Sequence, residues 1–169
     1  MLDPAAPPRI AVIWHSRTGG TAAMVEAFAA GALASGEVAV RALPAPEANA
    51  DSVLDAQAVV FATPENLAAI GGMLKDFFDR SYYDLLDRVN GLPCAFMVCA
   101  GSDGHNAVRQ LERIATGLRL RPVAPALIVN VGAQTPAAIR APKLLHASDR
   151  ERCRELGATL AAGLALGIF

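Results

Sequence analysis

Apolar and polar residues fall along this chain in blocks whose period changes in a regular way. Residues 10–14 (IAVIW) form an unbroken apolar run, which predicts a strand buried on both faces. From residue 21 onward Met24, Val25, Phe28, Ala29, Ala32 and Leu33 keep helical spacing, with Gly36 as a stop. A second strand is expected over residues 37–43, where Val38, Val40 and Leu43 alternate before Pro44 and Pro46 break the run. A short helix over 48–56 and a third buried strand over 57–63 (QAVVFAT), ended by Pro64, follow. The helix over 71–86 gathers Met73, Leu74, Phe77, Phe78 and Tyr82 on one side. A strand over 92–100, a helix over 106–118, a strand over 126–131 and a helix over 148–166 complete the series. The connection before that last helix holds Pro136 and Pro142 and reads as irregular.

Buried strands that alternate with helices predict a parallel sheet covered on both sides. Ligands bind such sheets beyond the strand C-termini, where the strand order switches. The loops after the first, third and fourth strands are therefore where chemistry is expected.

The first of these loops is Ser16-Arg17-Thr18-Gly19-Gly20-Thr21. It combines three hydroxyls with two glycines, which let backbone N–H groups approach a ligand closely. The helix that starts there aims its unsatisfied N–H groups and positive dipole end at the same spot. This is the makings of a phosphate cradle. The same residues would also serve as a capped strand-to-helix connection. No Lys follows the glycines, as a nucleoside-triphosphate loop needs, and no G-x-G-x-x-G is present.

Ser16-x-Thr18-Gly19-x-Thr21 after a first buried strand resembles the phosphate loop of the flavodoxin superfamily, which wraps the phosphate of FMN. Arg17 is less usual there. The resemblance runs from about residue 9 to residue 169 and implies an α/β fold, a three-layer α/β/α sandwich on a five-stranded parallel sheet of order 2-1-3-4-5. Residues 1–8 are expected to form a short extended tail, and 9–169 a single domain. The stretch Thr63-Pro64-Glu65-Asn66-Leu67, leading into Lys75-Asp76-Phe77-Phe78-Asp79-Arg80, is similar to the ring-binding loop and helix of flavodoxin-fold flavin and quinone reductases. By that resemblance Thr63, Pro64, Glu65, Asn66 and Leu67 contact the isoalloxazine ring. The loop Ala100-Gly101-Ser102-Asp103-Gly104 would bond the ring's pyrimidine edge, and His105 is the candidate catalytic residue. An ordinary surface histidine at a helix start is the competing reading of His105.

Composition adds constraints. The chain has 169 residues, a net charge of −1 and a hydrophobic fraction of 53%. Mean hydropathy is +0.34, high enough to raise the question of a membrane segment. The charge-free runs 122–139 and 156–169 are respectively broken by prolines and polar residues and too short to span, so no insertion is expected. The opening segment MLDPAAPPR lacks the apolar run of a secretory signal. Near-neutral charge argues against a nucleic-acid partner. Cys94 and Cys99 fall on one strand and opposite faces, too far apart to bridge, and Cys153 lies in the last helix. With no metal-binding spacing, the three thiols point to a reducing cytoplasm and to no metal site.

Two other chemistries are excluded. A receiver domain needs carboxylates at the ends of strands one and three, where this chain has Trp14-His15 and Ala62-Thr63. A serine hydrolase needs G-x-S-x-G, which does not occur.

The resemblance implies an NAD(P)H-dependent FMN oxidoreductase that reduces a flavin, quinone or similar small acceptor, with NADH or NADPH as donor. One-electron carriers of this superfamily typically surround the flavin with acidic residues and stack an aromatic on it; neither ring-side loop here contains an aromatic. A flavodoxin-type carrier and a flavodoxin-fold binding protein without flavin turnover are the alternatives. The consecutive aromatics Phe77, Phe78, Tyr82 and Tyr83 cannot all face the sheet, so a homo-oligomer is expected.

Overall fold

The computed structural model describes residues 6–169, and the proposed tail lies outside the described residues over positions 1–5. The chain runs β1 (Arg9–Trp14), α1 (Gly20–Leu33), β2 (Ala39–Pro44), a 3-10 turn (Ala45–Glu47), α2 (Ala50–Leu54), β3 (Ala58–Asn66) and β4 (Ala69–Ile70). It continues through α3 (Gly72–Leu85), β5 (Pro93–Ala100), α4 (His105–Gly117), β6 (Arg121–Pro122), β7 (Leu127–Asn130), α5 (Pro136–Arg140) and α6 (Ala147–Ala165). The sheet is parallel in the order β2-β1-β3-β5, with β6 and β7 both pairing along the outer edge of β5. This is the flavodoxin-like arrangement, with β6 and β7 together standing for its fifth strand.

Alternate strand residues feed two separate cores, as expected for strands buried on both faces. Ala11, Ile13, Phe61, Phe96 and Val98 meet Leu74, Phe77 and Phe78 of α3 and Leu111 of α4. Ile10, Val12, Val60 and Met97 meet Met24 and Phe28 of α1 and Leu160 of α6. Cys94 belongs to the first core and Cys99 to the second, and all three cysteines are free and buried. Helices α1 and α6 touch backbone to backbone. A Cβ on Gly31 would stand 2.0 Å from the Arg154 carbonyl oxygen, and one on Gly157 would stand 2.1 Å from that of Phe28.

Three features depart from the sequence pattern. The expected strand over 126–131 is present as β7, but an extra short strand, β6, precedes it on the same edge; Arg121 and Val123 N–H donate to the Leu92 and Cys94 carbonyls of the β5 side, so Pro122 costs no bond there, whereas Pro125 between the two strands has no N–H to offer. Strand β3 does not end at Pro64 but continues to Asn66 and turns back as β4. Its ladder with β1 stops at Ala62, so Pro64 leaves no bond unmade on that side. The connection before α6 contains the helix α5, started by Pro136 in its first turn and by the Thr135 hydroxyl accepting from Ala138 N–H at 3.2 Å. Among the described residues no helix is long and apolar enough to cross a membrane, and no cluster of three or more His, Cys, Asp or Glu could hold a metal.

Candidate functional site

Strand β1 delivers the chain to the sheet's C-terminal rim, where His15 N–H still bonds the Ala62 carbonyl at 3.0 Å. The chain then turns through residues 16–19 into α1. Gly19 occupies the N-cap with φ 91° and makes no side-chain cap, a conformation that glycine adopts without strain. Gly20 is bare for a different reason: a Cβ there would lie 2.5 Å from Cys99 Sγ and 3.3 Å from Lys143 Cβ. The first N–H groups of α1 are thus left open to a ligand.

Two hydroxyls beside them are orphaned. Ser16 Oγ and Thr21 Oγ1 are buried without a hydrogen-bond partner, and Thr21 is only 1% exposed. Most buried hydroxyls in folded proteins are paired, so two orphans at one helix start point to an anion that would complete them. Arg17 lines the same space, as does Lys143 from the connection before α6. Lys143 N–H donates to the Thr18 carbonyl at 2.7 Å, tying that connection to the loop. Hydroxyls, free N–H groups, a close-approach glycine and two cations together suit a phosphate group.

The cavity continues from this cradle along the rim and has a volume of about 460 Å³. It crosses the point between β1 and β3 where the strand order reverses, the expected ligand position for such a sheet. One wall is the β3–β4 turn. Leu67 and Ala68 both have positive φ, 51° and 57°, in a two-residue hairpin turn that glycine and asparagine usually occupy. Helix α4 braces that turn. The Glu65 carboxylate accepts from Gly104 N–H at 2.8 Å and Ala107 N–H at 3.0 Å. Gln110 Oε1 accepts from Ile70 N–H at 3.0 Å, and the Asn106 amide donates to the Ala68 carbonyl. The opposite wall is the loop after β5, where a Cβ on Gly101 would stand 2.8 Å from the Ala133 carbonyl oxygen.

Of the residues singled out from sequence, Ser16, Arg17, Thr18, Gly20, Thr21, Pro64, Glu65, Asn66, Leu67, Ala100, Gly101 and Ser102 line this cavity. Gly19, Thr63, Asp103, Gly104 and His105 do not. Gly19 shapes the turn. Thr63 is fully buried, and its hydroxyl accepts from Gly71 N–H at 2.8 Å while donating to the Pro64 carbonyl at 2.9 Å. Gly104 is the N-cap of α4, with φ 95°. His105 is largely exposed and pairs through Nδ1 with the Asp103 carboxylate at 2.6 Å, away from the cavity wall.

Ala68, Cys99, Val131, Ala133, Ile139 and Lys143 line the cavity without having been singled out as site residues. Burial pushes the Cys99 thiol up to about 11 despite the opposing pull of Lys143, so it stays protonated at neutral pH. His15 sits just behind the loop, its Cδ2 within 2.9 Å of where a Gly71 Cβ would be. Burial, then the Arg17 charge, lowers its pKa, which keeps the imidazole neutral.

The family described as NADPH-dependent FMN reductase matches residues 30–134, and the chain belongs to that family. The matched segment contains both walls of the cavity from β3 and β5 and begins after the 16–21 loop. The chain is also 28% identical to a flavodoxin of Aquifex aeolicus (strain VF5) over 162 residues, 94% of this chain and 88% of that one. Among solved structures, a flavodoxin from the domain Archaea superposes with a TM-score of 0.74 at 18% identity, covering 92% of this chain and 98% of that one. A flavodoxin, WrbA-like protein from Agrobacterium tumefaciens superposes with a TM-score of 0.67 at 22% identity, covering 95% of this chain and 98% of that one.

Proposed function

We propose that this member of the NADPH-dependent FMN reductase family binds FMN in the rim cavity and works as an NAD(P)H-dependent two-electron reductase of a small acceptor such as a flavin or quinone. When bound, FMN would supply a centre that accepts a hydride from NADH or NADPH and passes two electrons on. The protein residues fit its phosphate: Ser16 Oγ, Thr21 Oγ1 and the open N–H groups of α1 would hold it, with Arg17 beside them.

One observation carries the choice of reductase. Among the described residues, the cavity is lined by two cations, Arg17 and Lys143, and one acid, Glu65. That acid is already engaged by two N–H groups of α4. The field is thus suited to added negative charge. Among the described residues no aromatic side chain lines the cavity either, so a planar second substrate has room to approach. Leu67, Ala68 and Ala100 bound that approach.

The Aquifex flavodoxin relative favours a second reading, a one-electron carrier. Anaerobic addition of NADH or NADPH to the FMN-loaded protein, followed by quinone or free flavin, separates the two. The reductase reading expects pyridine-nucleotide oxidation that continues as acceptor is supplied. No nucleotide oxidation, with a long-lived one-electron-reduced flavin on chemical titration, would establish the carrier.

Helix α3 leaves apolar surface outside the fold, with Tyr82 42% and Tyr83 80% exposed. A homodimer that covers this surface is part of the proposal, and light scattering at micromolar protein should give twice the chain mass; a monomer mass would refute it. Three buried, unbridged thiols fit work in a reducing cytoplasm.

A further inference from the structure

We infer that Lys143 is the second cation of the phosphate site, a fixed positive charge brought to the 16–21 loop by a distant part of the chain. This rests on the reading of the cradle as a phosphate site, and it assigns a binding role to a residue outside the loop.

Four observations place it there. The Lys143 backbone N–H bonds the Thr18 carbonyl at 2.7 Å, which fixes the main chain beside the loop. Its stem packs on the start of α1, close enough that a Cβ on Gly20 would meet Lys143 Cβ at 3.3 Å. Its ammonium is held in place, with Nζ donating to the Ala138 carbonyl at 2.7 Å and the Ile139 carbonyl at 2.9 Å, and also to that of Ala141. Finally, those partners are neutral, and no carboxylate among the described residues forms an ion pair with Lys143.

A half-buried lysine with no carboxylate partner among the described residues, lining the cavity that also holds orphaned Ser16 Oγ and Thr21 Oγ1, suits an anion there. The three carbonyls use its three donors, so its contribution is that of an oriented charge rather than a new hydrogen bond. The carbonyls at the end of α5 thereby position the charge, while α5 is itself pinned by the same side chain. Phosphate binding and the seating of residues 136–143 are coupled through one residue.

Lys143→Met keeps the stem and removes the charge; Lys143→Arg restores a charge. Dissociation constants for FMN and riboflavin are measured with the full chain by flavin fluorescence. Lys143→Met is expected to weaken FMN by about tenfold, as the loss of one well-placed ionic interaction does, and to leave riboflavin within about twofold. Lys143→Arg should recover most of the FMN affinity. Equal weakening of both flavins would show that Lys143 only holds α5 in place, and unchanged FMN affinity would show that its charge is not felt; either result overturns the inference. Thermal unfolding with inorganic phosphate, against chloride at matched ionic strength, gives an independent arm. Phosphate should raise Tm in the wild type more than in Lys143→Met. If wild type binds no FMN yet shows that difference, the FMN reading fails while the role of Lys143 stands; if the phosphate shift is the same in both proteins, the role of Lys143 fails.

Discussion

The Glu65 carboxylate, at the end of β3, accepts hydrogen bonds from the N–H groups of Gly104 at 2.8 Å and Ala107 at 3.0 Å, at the start of α4. A side chain from one ligand loop therefore caps the helix that follows another, and locks the two walls of the cavity together. The cap has no local substitute, because Gly104 offers no side chain. Negative charge at that helix start is also favoured by the dipole.

Glu65→Ala should accordingly cost about 1–2 kcal/mol of stability, the range for losing an N-cap. It should also weaken FMN, since the strained Leu67–Ala68 turn loses a brace. Glu65→Gln keeps an acceptor and should fall between. Urea unfolding of the three proteins checks the order; an Ala variant as stable as wild type would remove the capping role.

Thr21→Val gives effects of opposite sign. Its hydroxyl is buried and unpaired, so replacement by a methyl of similar shape removes a desolvation penalty, and the ligand-free protein should be equally or more stable. FMN binding should weaken by about 1.5–3 kcal/mol, the worth of a hydrogen bond to a charged group. Urea melts of the ligand-free protein and FMN titration read the two effects separately. A variant that loses stability without ligand and binds FMN normally would mean that the hydroxyl serves the fold.

Gly157→Ala tests the α1–α6 crossing. A Cβ there would stand 2.1 Å from the Phe28 carbonyl oxygen, a backbone atom that cannot rotate away. The helices must move apart, at a cost of about 1–3 kcal/mol or more. A denaturation midpoint within error of wild type would show that the helices separate freely.

His15 gives stability a pH dependence. Its pKa is lowered in the folded state by burial and by Arg17, so the unfolded chain binds the proton more readily. The sign follows from linkage: stability is complete above the ordinary histidine value near 6.5 and falls as pH drops below it toward the lowered folded value. His15→Gln should flatten the slope of unfolding free energy between about pH 7 and pH 5.5. An unchanged slope would place the titration on another group.

The fold was legible because most of its strands are buried on both faces and announce themselves as apolar runs; Val59 to Ala62 and Ala95 to Val98 need no partner to be recognised. Pro64 misled because proline ends a strand only where its N–H is needed, and β1 has already stopped there. The β3–β4 turn was hidden for a similar reason. Leu67 and Ala68 carry none of the composition that normally marks positive φ, and bonds between this hairpin and α4, made by Glu65, Asn106 and Gln110, hold that turn.

The 16–21 loop stands out in the sequence because its hydroxyls and glycines are nearly consecutive. Lys143 does not: more than 120 positions separate it from Thr18, and only the folded chain joins them. His105 illustrates the reverse case. Its loop position suggested chemistry, yet the ring is turned to Asp103 at the surface.

The central claim is that this cavity takes FMN by its phosphate. It is tested most directly by titrating the flavin-free protein with FMN and with riboflavin, which differ only in that group. The account predicts one FMN per chain, with riboflavin bound at least about 100-fold more weakly, as two or more charge-assisted hydrogen bonds would give. Equal affinities for FMN and riboflavin would contradict it.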